Sequence, residues 1–388
     1  MKYDFDTPVN RRGTASLKWE VGEKELPMWV ADMDFETAPE IKEAMMKRAE
    51  HGVFGYSVIP DEWYEAYVGW WKDRHGFRME KDWLIFCTGV IPAISSMVRK
   101  LTTPAEKVVI QTPVYHIFFN SILNNGRQVL ESPLHYDGRE YEIDFSDLEE
   151  KLSDPQTSLM ILCNPHNPTG NLWNKETLLR IGELCEKHHV IVVSDEIHCD
   201  LTDPGCEYTP FASVSKACRE NSVTCIAPTK AFNIAGLQTA AVVIPNEQLR
   251  HKVWRGLNTD EVAEPNAFAI GAAEAAFTQG GGWLYELRKY IKQNRETAIA
   301  FIEENIPGIK PVTSHATYLM WLDCSRLTDD AAKLAELVRE KTGLYLSAGN
   351  LFGGNGAGFL RMNLACPKSV LMDGLNRLQE GASAWKAF

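Results

Sequence analysis

The chain has 388 residues, 45% of them hydrophobic, and a formal net charge of -12 at pH 7. That is apolar material for one large core and a smaller one, and an acidic balance without any Lys/Arg-rich run argues against a nucleic-acid partner. Nine cysteines without a Cys-x-x-Cys pair, a start (Met1-Lys2-Tyr3-Asp4-Phe5-Asp6) without an apolar h-region, and no long apolar run predict a soluble, cytoplasmic protein with reduced thiols and no membrane contact.

In chain order, Leu26-Pro27-Met28-Trp29-Val30-Ala31-Asp32-Met33-Asp34-Phe35 reads as an extended arm before a helix starting near Pro39. Its Met and Trp fit either a partner surface or a strap over the protein's own core. Short apolar strands then alternate with helices: 83–87, 107–110, 159–163, 190–193, 223–226 and 241–244. Helical spacing shows after Gly89 and from Lys175 to His188, where Leu178, Ile181, Leu184 and Cys185 recur. Continuous apolar strands separated by helices predict an α/β fold with a mostly parallel sheet covered on both faces, and ligands in such sheets bind at the carboxyl ends of the strands. After Gly280-Gly281-Gly282 a long helix from Trp283 toward Asn305 leads into an α+β texture, with strands at 318–322 and 359–364 and helices near 329–341 and 369–382. The expected division is an arm at 1–50 that belongs in part to the small domain, a large domain at 51–282 and a small domain at 283–388.

The residues with chemical potential stand at the strand ends. Thr88-Gly89-Val90-Ile91-Pro92 is a glycine turn into a helix, whose free amides and dipole can seat a phosphate. Gln111-Thr112-Pro113-Val114-Tyr115 brings an aromatic face to the same edge, able to stack on a planar ring. In Asn164-Pro165-His166-Asn167-Pro168-Thr169-Gly170 two Asn-Pro pairs restrict the backbone so that Asn167 presents its amide in one direction. Asp195 follows four apolar residues, and a carboxylate buried there needs a cationic partner such as a protonated ring nitrogen. The nearby Glu196, His198, Cys199 and Asp200 lack a second ligand cluster, so no metal centre is expected. Finally, Lys230 sits among small and apolar residues, where loss of water favours the free amine that forms a Schiff base with an aldehyde. A phosphate seat, a stacking ring, an amide, an acid and an amine together suit pyridoxal phosphate.

With these motifs the chain resembles fold-type I pyridoxal-phosphate enzymes of the class I/II aminotransferase superfamily, through Asn167-Pro168-Thr169-Gly170, Asp195, Lys230 and Arg361 in that order. It is most similar to the MalY/PatB group of cystathionine β-lyases and cysteine C–S lyases, through Lys18-Trp19, Trp29 to Phe35, Phe54-Gly55-Tyr56, Asp195-Glu196-Ile197-His198 and Lys230 to Leu237. The resemblance implies that Lys230 holds the cofactor and moves the substrate's α-proton. It further implies Asp195 at the ring nitrogen, Asn167 at the phenolic oxygen and Tyr115 on the ring face. Gly89, Val90 and Thr229 would bind the phosphate, joined by Tyr56 from the neighbouring subunit of a homodimer, with His198 also in the cofactor-binding set and Arg361 on the α-carboxylate as a bidentate pair. His198 stands where many aminotransferases have tyrosine, Gln238 where many have a phosphate-binding arginine, and Ala231 where the lyase group has threonine. The implied reaction is β-elimination from a cysteine S-conjugate such as cystathionine, giving a thiol, pyruvate and ammonia. An aminotransferase is the alternative, and a non-catalytic regulator on this scaffold a third reading.

Overall fold

The computed structural model describes residues 2–386. Seven strands form the central sheet: β1 (Leu84–Cys87), β2 (Lys107–Ile110), β3 (Gln128–Glu131), β4 (Thr157–Cys163), β5 (Ile191–Asp195), β6 (Ser222–Ile226) and β7 (Ala240–Val243), in the order β1-β7-β6-β5-β4-β2-β3. Alternation along the strands divides the core between two faces. Val108, Ile110, Leu159 and Ile161 pack with Ile94, Met97 and Val98 of the helix Val90–Leu101 and with Val253 and Leu257 of Glu247–Thr259. Val109, Met160, Leu162 and Val192 pack on the other side with Leu178, Ile181 and Cys185 of Lys175–Lys187. Each such aliphatic side chain contributes roughly 1.5–3 kcal/mol on full burial. Side chains cap several helix starts: Asn174 accepts from Thr177 N, Asp144 from Ser146 N and Asp147 N, and Asn246 from Leu249 N.

Four of the six apolar runs of this region, at 107–110, 159–163, 190–193 and 223–226, form parallel ladders with one another. The sheet is mostly parallel, as expected, and its one reversed strand is β7, antiparallel to both β1 and β6. That reversal has a consequence for the site, because the start of β7 lies at the edge where its neighbours end.

A second sheet joins Lys310–Pro311, β8 (Leu319–Asp323), β9 (Phe359–Asn363) and Ser347–Ala348 in antiparallel order. Its core lies against the helices Gly281–Asn305, Ala331–Thr342 and Lys368–Lys386. Gly281 and Gly282 belong to the first turn of the long helix, so the boundary expected at 282/283 falls inside a continuous element. The arm is a strap on the chain's own core: Leu26–Pro27 pairs with Leu344–Tyr345, and Met28, Met33 and Phe35 are buried. Charge fixes it as well. Buried Lys18 meets Asp34 at 2.7 Å, Trp19 Nε1 donates to Asp34 at 2.8 Å, and Arg11 grips Asp32 and Asp34 at 2.6 and 2.8 Å. Among the described residues no helix is long and apolar enough to cross a membrane.

Candidate active site

The carboxyl ends of β1, β2, β4, β5 and β6 and the start of β7 surround a cavity of about 260 Å3. Eight residues singled out from the sequence line it: Gly89, Val90, Tyr115, Asn167, Asp195, His198, Thr229 and Lys230. A larger open groove of about 1030 Å3 runs along β1 between Asp61, Glu80, Lys81 and Arg250, but it contains none of these groups.

The helix Val90–Leu101 begins at Gly89 with no capping side chain and no acidic residue in its first turn, so its leading amides and positive end are left for an anion. Gly89 itself is extended, a conformation open to any residue; what favours glycine is that a Cβ would lie 3.1 Å from Pro92 Cδ. Gly170, at φ 73, closes the Asn-Pro-Thr-Gly turn where a Cβ would strike Ser314. Both Asn-Pro bonds of that turn are cis. Asn167 accepts from Arg361 Nη1 at 3.2 Å, so what its side chain offers the cavity is its N–H donors.

Asp195 is buried at the end of β5 and accepts from Ile197 N at 3.1 Å. Burial pushes its carboxyl up to about 7, although Ile197 N–H and the Lys230 charge both favour the ionised form. Lys230 follows β6 and donates to the carbonyl of Ala31 at 2.6 Å. Burial brings its amine down to about 8, against the pull of Asp32. His198 is held neutral, its imidazole pushed down to about 3 by burial and by Lys230 and Arg361, and its Nδ1 is buried without a partner.

Arg361 stands in the middle of β9, buried, with Phe352 4.8 Å beneath its guanidinium. Nη2 donates to Trp29 O at 2.8 Å and Ser347 Oγ at 3.4 Å, while Nε is buried without a partner. A two-pronged grip by Nη1 and Nη2 on a carboxylate therefore needs the Trp29 carbonyl to yield. Tyr56 is not among the cavity's residues; it is fully exposed beside Phe54 and Phe268. His75, Cys199 and Asp200 cluster within metal-ligand reach, yet Arg74, Trp70 and His75 all bind the Asp200 carboxylate.

Sequence reasoning missed the supports. The Ala31 carbonyl that receives Lys230 also accepts from Tyr318 OH at 2.9 Å, and Tyr318 is wholly buried just before β8. Asn233 holds the arm through Met33 N, Met33 O and Phe35 O, and Asn363 through Val30 O and Asp32 O. Gln238, noted only as a departure, lines the cavity because β7 runs backwards.

The Asp195 shift carries a stability prediction. An unfolded Asp ionises near 3.8, the folded one near 7, so between these values the folded chain holds a proton that the unfolded chain has released, and stability falls as pH rises. In the cofactor-free protein Asp195→Asn is expected to exceed the wild type by on the order of 3 kcal/mol above pH 7, with the difference fading toward pH 4. Calorimetry across that range checks it; a gap that widened toward acid would contradict the assignment.

The cavity gathers free helix amides, a buried acid and a desolvated amine, and comparison gives the chain's class. The chain belongs to the aminotransferase class I and II family, whose model matches residues 24–378. Within that family it is 44% identical over 386 residues to cystathionine beta-lyase PatB of Bacillus subtilis, covering 98% of this chain and 100% of the relative. It is 34% identical over 381 residues to protein MalY of Escherichia coli, covering 96% and 97%. Cystalysin from Treponema denticola, which contains a pyridoxal 5'-phosphate cofactor, superposes with a TM-score of 0.96 at 35% identity over 99% of this chain and 100% of that one.

Proposed function

We propose that the chain is a pyridoxal-phosphate-dependent cysteine-S-conjugate β-lyase that cleaves cystathionine-type substrates to a thiol, pyruvate and ammonia. The observation that carries this reading is one cavity holding a desolvated lysine amine, a buried acid and an uncapped helix start, in a chain 44% identical end to end to a cystathionine β-lyase.

The residues fit the cofactor. The free amides at Gly89 and Val90, with Thr229, suit its phosphate, and Gln238 supplies a neutral amide where a cation is absent. Asp195, costly to ionise alone, gains a partner in a protonated ring nitrogen, and Asn167 has N–H donors for the phenolic oxygen. Tyr115 and neutral His198, which line the same cavity, would flank the ring. When bound, pyridoxal phosphate supplies an aldehyde that captures an amine and a ring that accepts the electron pair released at Cα.

Arg361 holds the α-carboxylate and so aims the Cα–H bond at Lys230. Lys230 Nζ, depressed to about 8, is available unprotonated to take the α-proton. The Cβ–S bond then breaks with its electrons going to sulfur, a proton makes the thiol, and water releases the remaining three carbons as pyruvate with ammonia. Thiol release from L-cystathionine by the cofactor-loaded enzyme, read with a chromogenic disulfide, tests the reading; no thiol above the protein-free rate would remove it.

The proposal includes a cytoplasmic homodimer, with arm (1–50), large (51–282) and small (283–388) divisions all contributing to the site. Nine free cysteines suit a reducing compartment. Tyr56 at full exposure, among exposed Val53, Phe54 and Val58, supports its delivery to a neighbouring subunit's phosphate. A monomer mass in sedimentation equilibrium would remove the dimer.

A further inference from the structure

A second pocket, of about 530 Å3, lies behind the segment that carries Asp195 and His198, between the end of the helix Asp61–His75 and the long helix Gly281–Asn305. Its walls include Arg74, His75, Arg288, Tyr208, Cys206 and Glu207. Arg288 is the informative member. All its hydrogen-bond partners are neutral oxygens: Thr202 O and Thr202 Oγ1, both at 2.7 Å, and Asp203 O at 3.3 Å. Two acids are near enough to act on its charge, but Asp200 is committed to Arg74, at 2.7 Å, and Asp203 to Arg295. Among the described residues Arg288 therefore forms no ion pair of its own. Loss of water and the Arg74 charge lower its hold on its proton, in the direction expected of a cation that lacks a counter-charge.

We propose that this pocket is a binding site for a small oxyanion, a phosphate or carboxylate group, seated on Arg288 beside the Arg74–Asp200 pair. Of its lining residues only Glu207 is acidic; Arg74 is already matched by Asp200, so the unmatched charge is that of Arg288, whose Nε and Nη2 are engaged by Thr202 and Asp203 and whose Nη1 is left to donate to an oxyanion. The same arrangement speaks against a cation at His75, Cys199 and Asp200, because Arg74 already neutralises that carboxylate. The site borders the chemistry: Tyr208, in its wall, stacks edge-on against His75 at 5.0 Å and donates to Glu196, the neighbour of Asp195.

Cys206 provides a built-in probe, since it lines this pocket and is the one cysteine of the nine that is not buried. The experiment is alkylation of Cys206 by iodoacetamide in the cofactor-loaded enzyme, followed by peptide mass spectrometry, with inorganic phosphate, succinate or chloride at matched ionic strength. Protection by phosphate indicates a phosphate-bearing ligand and protection by succinate a carboxylate. At about ten times its Kd the bound anion is expected to slow alkylation roughly tenfold relative to chloride. Arg288→Gln should abolish the protection, and Arg288→Lys should retain part of it. Equal rates in all three salts, or protection that persists in Arg288→Gln, overturn the proposal.

Discussion

Replacing Lys230 with alanine is expected to lower thiol release from L-cystathionine by about 10³-fold or more, since it removes both the covalent anchor and the base that takes the α-proton. The reason is specific to its surroundings. An exposed lysine is almost wholly protonated at neutral pH, whereas burial brings Lys230 down to about 8 and leaves a useful share of free amine. The Ala31 carbonyl, held in turn by Tyr318, fixes where that amine points. Borohydride reduction of the loaded wild type should fix cofactor mass on the peptide containing Lys230, and the alanine variant should show none. Retention of wild-type turnover by Lys230→Ala would falsify the assignment.

Arg361→Ala is expected to reduce kcat/KM by about 10² to 10³, mostly through KM, since loss of one partner of a buried, charge-assisted contact costs roughly 2–5 kcal/mol. Removing this guanidinium also strips Asn167 Oδ1 and Trp29 O of a donor, so the amide and the arm lose part of their fixation. Lysine at 361 restores charge without the planar fork and should recover only part of the affinity. Initial rates over a range of L-cystathionine decide it; an unchanged KM would show that the carboxylate is held elsewhere.

Much of this was legible in the sequence for a plain physical reason. Buried parallel strands are continuous apolar runs, and polar residues just past their ends have few roles other than binding, which is how Asn167, Asp195 and Lys230 stood out. Strand direction leaves no such trace: Ala240–Val243 reads like its neighbours although it runs the other way. The edge strand Gln128-Val129-Leu130-Glu131 escaped notice because its ends are exposed and its centre only half-buried. The Ala31 carbonyl is a backbone atom, which any residue could have supplied, and Tyr318 read as one more apolar strand position. Asn233 and Asn363 act by tying down the arm, a task visible only once the arm lies across the site.

The charge balance of the cavity links these points. Lys230 and Asp195, which line it, and Arg361, which lies behind Asn167, are each shifted toward neutrality by burial, so a ligand bringing an anionic phosphate, a protonated ring and a carboxylate would compensate all three. Pyruvate formation from L-cystathionine by the cofactor-loaded enzyme with no 2-oxo acid present tests the proposed elimination most directly. Sustained pyruvate equal in amount to the thiol released is the expected result. A single turnover that stops until a 2-oxo acid is added would contradict elimination and make the chain an aminotransferase.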